Sequence, residues 1–372
     1  MQRIKIGYDR YNDNHKTLPA TGFAPGNISG NYYITDYFEL LHPLDINEKY
    51  FYPIFWPSPE QHISETVIND IKAGKCKLII DYITESECYN VNDYGWVGMA
   101  RDDEGSPQNR QFHKKVSAML EHNKLDWDFV LIDCNPFNEI KHDNCIYFNR
   151  WLYQQFTNDH DRLKYSPFKS ERQYDFSSFN RRVTKCRLII CEHLDNKNAL
   201  WSCGAIEDKD LYNEFSDLGQ LLPKTVDAEF TAEGTGMRLS NWMIPSSYIH
   251  IINETFTFYN KNCLFLTEKT FDCINAMTPF LIMGQPFSLK HLQDLGFKTF
   301  NEVWDESYDE IINTQDRLNE ILKIINELEK RDVKKVFSDT IPILKHNRDV
   351  LEMHNSQFSV TIYNKLSNLG FI

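Results

Sequence analysis

The sequence predicts an α/β protein of two lobes. Three observations carry this: a length of 372 residues, more than one ordinary hydrophobic core; short apolar segments alternating with amphipathic ones; and a polar, irregular stretch near the middle. A hydrophobic content of 41% beside 25% charged residues describes a chain that folds throughout, with no low-complexity tract.

In the first half, residues 3–8, 77–83, 129–133 and 145–148 read as strands, several preceded by helix-compatible stretches such as 63–73. That alternation favours a parallel sheet. Residues 157–178 (TNDHDRLKYSPFKSERQYDFSS) contain Pro167 and no apolar period, so they read as the linker. The expected domains are 1–165 and 176–340, followed by a helical segment over 341–372.

In the second half, residues 187–191 read as a buried strand, followed by a helical stretch and a long loop over 205–236. Residues 247–252 read as a strand. Residues 264–266 lead through Thr267 into a helix over 268–276, and 279–283 form a short strand ended by Gly284. Ile312, Leu318, Ile321, Leu322, Ile325 and Leu328 share one face and predict a long helix over 308–336; another is expected over 343–366.

Composition narrows the function classes. The formal charge of -13 argues against broad electrostatic binding to nucleic acid, although local clusters such as Lys72, Lys75 and Lys77 exist. The 9 cysteines form no CxxC pair, which suggests free thiols in a reducing compartment. The opening MQRIKIGYDRYND reads as a short strand rather than a charged region followed by a long apolar one, and no apolar run approaches about 18 residues, so a soluble cytoplasmic protein without membrane contact is expected.

The segment richest in chemistry is YIHIINETFTFYNKNCLFLTEKTFDCINAMTPFLIMG, which sets Glu254 after one strand and Glu268-Lys269 where a helix begins. Ligands of open α/β sheets bind outside the carboxyl ends of the strands, and helix N-termini attract phosphate. A carboxylate there can accept from ribose hydroxyls, and the adjacent ammonium can offset diphosphate charge. Glu268 and Lys269 suit those roles, although Thr267 as a plain helix cap beside a solvated charged pair also fits the triplet. Arg181, Arg182 and Arg187 are candidates for a bidentate grip on diphosphate, with Arg238 in EGTGMR (Gly234 and Gly236) as a weaker alternative.

A transfer to a hydroxyl needs a base. Glu85 and Asp133 are the candidates, ahead of Asp81 and Glu87, all at or near the ends of predicted strands. Tyr52, Phe55 and Trp56 suggest either core anchors or a stacking face for a sugar or base. Asp126 and Asp128 form an isolated DxD, and no HExxH, GxxxxGK[ST] or nucleophile-elbow pattern occurs, so neither a metal nor another cofactor is expected.

Glu254, Thr267-Glu268-Lys269, Pro279 and Gly284 together resemble the signature of fucosyltransferases and exostosin-like enzymes. Residues 288–311 resemble the tail of glycosyltransferase-like proteins of bacteriophages and large viruses, and 179–194 the opening of the same donor domain. The resemblance spans 179–328 and departs in having Glu-Thr after Asn253 rather than Glu-Asn.

It implies two Rossmann-like lobes facing across a cleft (GT-B type), with a UDP- or GDP-linked sugar held by Arg181, Arg182, Arg187, Glu254, Thr267, Glu268 and Lys269. It further implies inverting, metal-independent transfer. The first acceptor expected is a 5-hydroxymethylated pyrimidine in phage DNA, modified in the cytoplasm of an infected host. A glycan, a lipopolysaccharide precursor or a protein is the alternative acceptor, and a non-catalytic nucleotide- or sugar-binding protein is the alternative class.

Overall fold

The structure, a computed structural model, describes residues 3–9, 37–55, 57–82, 112–134, 136, 144–149, 152, 172–226, 243–259 and 264–371. They divide into two compact units. One contains the described residues of 1–150 with Leu264, Phe265 and 356–371; the other contains those of 151–260 and 266–355. Each unit is built on a sheet whose described strands all run parallel, so the chain is α/β as predicted.

The first unit carries strands β1 (Ile4–Gly7), β2 (Phe38–Leu41), β3 (Tyr50–Phe55), β4 (Cys76–Tyr82), β5 (Phe129–Asp133) and β6 (Cys145–Tyr147), in the order β2-β1-β3-β4-β5-β6. Leu78, Ile79 and Ile80 are buried in succession, because both faces of a central parallel strand are covered. Helices α1 (Glu65–Lys72) and α2 (Phe112–Asn123) seal one face through Val67, Val116, Met119 and Leu120. The Asn123 amide ties the end of α2 to the chain entering α1, accepting from the Ile63 N–H at 2.8 Å and donating to the Gln61 carbonyl at 2.7 Å. Strands β2 and β3 were not expected from sequence.

The second unit orders β10 (Phe280–Met283), β9 (Ser247–Asn253), β7 (Tyr174–Phe179) and β8 (Ala199–Ser202) as β10-β9-β7-β8. Its helices are α3 (Lys185–Asp195), α4 (Lys209–Glu214), α5 (Ser216–Gly219), α6 (Glu268–Asn275), α7 (Ser288–Asp294), α8 (Thr314–Glu329) and α9 (Val333–Ser356). The final helix, α10 (Phe358–Asn368), falls in the first unit.

Three expectations are corrected. Residues 187–191 are not a strand but part of α3, which Thr184 caps by accepting from the Arg187 N–H at 3.4 Å. The strand of this region is β7, inside the stretch read as linker. The predicted helix over 308–336 is broken: Asn313 caps the start of α8, and Asp332 receives the N–H groups of Lys334 and Lys335 to open α9.

The centre of the second sheet is polar. The Ser177 hydroxyl, the Ser247 hydroxyl (2.5 Å) and His250 Nδ1 (2.7 Å) form a buried network, and the Phe179 ring lies 5.3 Å from the imidazole. Burial pushes the pKa of His250 down to about 3, so the imidazole is neutral in the folded protein. The unfolded chain therefore binds a proton that the folded one does not, once pH falls below the ordinary histidine value of about 6.5. The contribution of this site is intact above that pH and declines by about 1.4 kcal/mol per unit as pH falls toward 3. His250→Gln is expected to flatten that part of the stability profile, measured by urea denaturation from pH 7 to pH 4; an unchanged slope would assign the acid sensitivity elsewhere.

Candidate functional site

The carboxyl edge of the second sheet is made by the residues following Phe179, Ser202, Asn253 and Met283. Helices α3 and α6 both begin there, with Thr184 and Thr267 as their N-caps.

Glu254 is the central residue of this edge. It is 2% exposed, directly follows β9, and its N–H donates to the Met283 carbonyl at 2.9 Å. Its carboxylate accepts from the Thr267 N–H (3.0 Å), the Thr267 hydroxyl (2.6 Å), the Thr270 hydroxyl (2.6 Å) and the Thr255 N–H (3.2 Å). Those donors fill the acceptor capacity of a carboxylate, and a negative group at a helix N-terminus is favoured by the helix dipole. The helix end expected to attract phosphate thus already holds an internal anion.

Thr267 is the N-cap of α6, as the sequence suggests. Its hydroxyl accepts from the Lys269 N–H (3.4 Å) and from Lys269 Nζ (3.0 Å). The Lys269 ammonium also donates to Glu268 Oε1 at 3.0 Å, with side chains 26% and 19% exposed. The charged pair therefore lies half-buried across the start of the helix, its members holding each other.

The three arginines divide. Arg187 is buried; its guanidinium donates to the carbonyls of Arg182 (3.0 Å), Asn253 (3.3 Å) and Glu254 (3.2 Å), bracing the loop after β7 against the end of β9. Arg181 and Arg182, on that loop, are exposed. Gly204, just beyond β8, makes this packing possible: a Cβ there would lie 2.2 Å from the Arg181 carbonyl oxygen. Gly284 plays a similar part after β10, where a Cβ would meet the Ser288 hydroxyl at 3.1 Å and the Glu254 Cβ at 3.4 Å.

Around this edge, sequence reasoning missed Thr270, Arg317 and Gly204. Thr267 and Thr270 are three residues apart and share a helix face, a spacing that could have flagged a common partner. Arg317, 1% exposed on α8, donates to the carbonyls of Thr257 and Ile311 and so fixes the loop after Glu254; nothing in its neighbourhood of the sequence announces that.

In the first unit, backbone register places Asp81 beside Ile132 and Asp133 beside Tyr82, at the carboxyl ends of adjacent strands. Glu85, Glu87, Trp56, Arg238, Gly234 and Gly236 lie outside the described residues. Tyr52 is an anchor, not a stacking face: it is 0% exposed and its hydroxyl donates to Asp9 at 2.8 Å. Asp128 pairs with Lys77, and Lys75 with Asp70 at 3.2 Å. Among the described residues no three metal-ligating side chains gather, and no helix is long and apolar enough to cross a membrane. The seven described cysteines are all free thiols.

The second unit is thus a parallel α/β unit whose polar constellation is concentrated at one carboxyl edge. The sequence matches no family profile and no curated protein. Among solved structures it is similar to an α1,3-fucosyltransferase crystallised with GDP, at 12% identity and a TM-score of 0.40, over 94% of this chain and 90% of that one. A second α1,3-fucosyltransferase structure aligns at 11% identity and a TM-score of 0.31, over 91% of this chain and 80% of that one.

Glu254→Ala leaves buried donors without an acceptor, and a loss of about 3 kcal/mol or more is expected in denaturant unfolding. Gly204→Ala, which forces two backbone segments apart, should cost about 1–3 kcal/mol by the same measurement. A Glu254→Ala protein as stable as wild type would remove Glu254 from its central role.

Proposed function

We propose that the chain is a nucleotide-sugar-dependent glycosyltransferase whose donor, UDP- or GDP-linked, binds at the carboxyl edge of the second sheet. The observation that carries this is the Glu268–Lys269 pair held half-buried at the first turn of α6 by Thr267 and Glu254. An acceptor carboxylate and a cation, fixed side by side at the end of a parallel sheet, match the ribose hydroxyls and the diphosphate of one ligand.

In this reading the two parts of the site have different tasks. Glu268 accepts from the ribose, and Lys269 turns from its present partners to the diphosphate as charge builds on the leaving group. Arg181 and Arg182 supply further charge, so that a metal ion is not required for departure. Glu254 and Arg187 act as positioning residues, because their polar groups are directed at Thr267, Thr270 and the edge carbonyls.

The reaction is direct displacement with inversion. The acceptor hydroxyl attacks the anomeric carbon while a base takes its proton and the nucleoside diphosphate leaves. Asp133, at the carboxyl end of β5, or Glu85 supplies the base, and the first unit receives the acceptor. The resemblance to phage glycosyltransferase-like proteins favours a 5-hydroxymethylated pyrimidine in DNA as that acceptor, and the free thiols fit a cytoplasmic setting.

Lys269→Ala and Glu268→Ala should each weaken UDP or GDP binding by roughly 1–3 kcal/mol in calorimetry, the loss of a charge-assisted hydrogen bond. Unchanged affinity in a folded variant would reduce the triplet to a helix cap. Incubation with radiolabelled UDP- and GDP-sugars, with hydroxymethylated DNA and with glycan acceptors in parallel, tests the transfer; label reaching only glycans would overturn the DNA assignment.

A further inference from the structure

We infer that Tyr259 and Phe287 form the platform on which the donor's nucleobase stacks, an inference that rests on the nucleotide reading above. Both rings are exposed, at 45% and 39%, and they meet each other with centroids 6.4 Å apart at an interplanar angle of 68°. Single exposed apolar side chains are ordinary on protein surfaces. Two aromatic rings held against one another by separate loops are a different feature.

The pair lies on the edge that carries the charged constellation. Tyr259 ends the described loop that begins at Glu254, and Phe287 follows Gly284, which abuts the Glu254 Cβ. Both loops are tied down. The Thr257 carbonyl accepts from Arg317 and from the Thr314 hydroxyl (3.3 Å), and the Phe258 carbonyl accepts from the Gln285 amide (3.4 Å). Phe287 donates its N–H to the Asp309 carbonyl at 2.7 Å, and the Asp309 carboxylate receives the Leu289 and Lys290 N–H groups at 3.0 and 3.1 Å.

Phe287 sits at φ 68°, in the left-handed region that bulky residues avoid and that glycine or asparagine would occupy with less strain. The backbone is therefore held where it presents a large ring to solvent, at a position whose backbone conformation favours glycine or asparagine. Every nucleobase has a π-face, and base–aromatic stacking is tolerant of base identity. Lys269, Arg181 and Arg182 account for phosphate and Glu268 for ribose; the rings account for the remaining part of a nucleotide, its flat apolar base.

Calorimetry with UDP, GDP and inorganic pyrophosphate separates the parts. Tyr259→Ala and Phe287→Asn, the latter suited to the left-handed backbone, should each weaken UDP and GDP binding about tenfold and leave pyrophosphate binding unchanged. Tyr259→Phe should retain wild-type affinity, and thermal unfolding should show both ring-removing variants folded. Nucleotide affinities that match wild type in both variants overturn the platform alone. A loss equal for nucleotides and pyrophosphate also overturns it, since the change would then be a general disturbance of the edge. A wild-type protein that binds neither nucleotide overturns the glycosyltransferase reading and the platform with it.

Discussion

The second unit is organised by one buried carboxylate. Glu254 joins the end of β9 to the start of α6 through the Thr267 and Thr270 hydroxyls and the Thr267 N–H, and accepts as well from the N–H of its neighbour Thr255. A buried carboxylate is costly unless its lone pairs are met, and here Thr267 and Thr270, at the start of α6, supply three of the four donors. Because Glu254 and Thr267 are 13 residues apart in the chain, the hydrogen bonds fix where the helix starts, and with it where Glu268 and Lys269 stand. The functional reading of the edge depends on that placement.

Buried guanidinium groups extend the same logic along the unit. Arg187 joins the loop after β7 to the end of β9, and Arg317 joins α8 to the loop after Glu254. At the opposite end of the sheet, Arg172 donates to the Ser247 carbonyl, to the Thr278 hydroxyl (3.1 Å) and to the Met277 carbonyl (3.2 Å), with Phe337 4.1 Å beneath it. Burial lowers the pKa of Arg317 only to about 10, so it stays charged at neutral pH. Each planar fork reaches carbonyls on separate segments, which a point charge such as lysine does less well. Carbonyls of loops and strand ends that would otherwise be unmet are thereby tied down at both ends of the sheet.

What the sequence revealed follows from where local signals agree with the final packing. Residues 247–253 and 267–284 were legible because β9 is rich in β-branched residues (Ile249, Ile251, Ile252), β10 is a continuous apolar run and Thr267 stands in front of an amphipathic turn. The run CRLIIC was misread because apolar continuity does not separate a buried strand from a buried helix. Its Thr184 cap was the deciding signal. Strand β7, YDFSSF, was missed for the opposite reason: Ser177 and Ser178 are wholly buried, but each is satisfied by neighbours on β9, which no local pattern discloses. The charged cluster could be placed at a helix start from sequence. That Glu254 would turn inward and Arg187 would face carbonyls could not, since the first depends on partners 13 and 16 residues away and the second on partners 66 and 67 away.

The same edge also contains polar atoms that the described protein does not satisfy. Ser178 donates its proton to the Ile251 carbonyl and accepts from the amides of Asn180 and Asn253, which fixes both amides with their oxygens turned elsewhere. Asn180 Oδ1, Asn253 Oδ1 and the Ser202 hydroxyl are buried without a hydrogen-bond partner, at the ends of three adjacent strands. Leaving such groups unmet costs about 1–3 kcal/mol each, and apolar side chains in their place would remove that cost. In the unit's interior, by contrast, Ser177, Ser247 and His250 satisfy one another. Stability alone would favour apolar side chains at these three positions; the donor site proposed at this edge would give a reason for keeping polar ones.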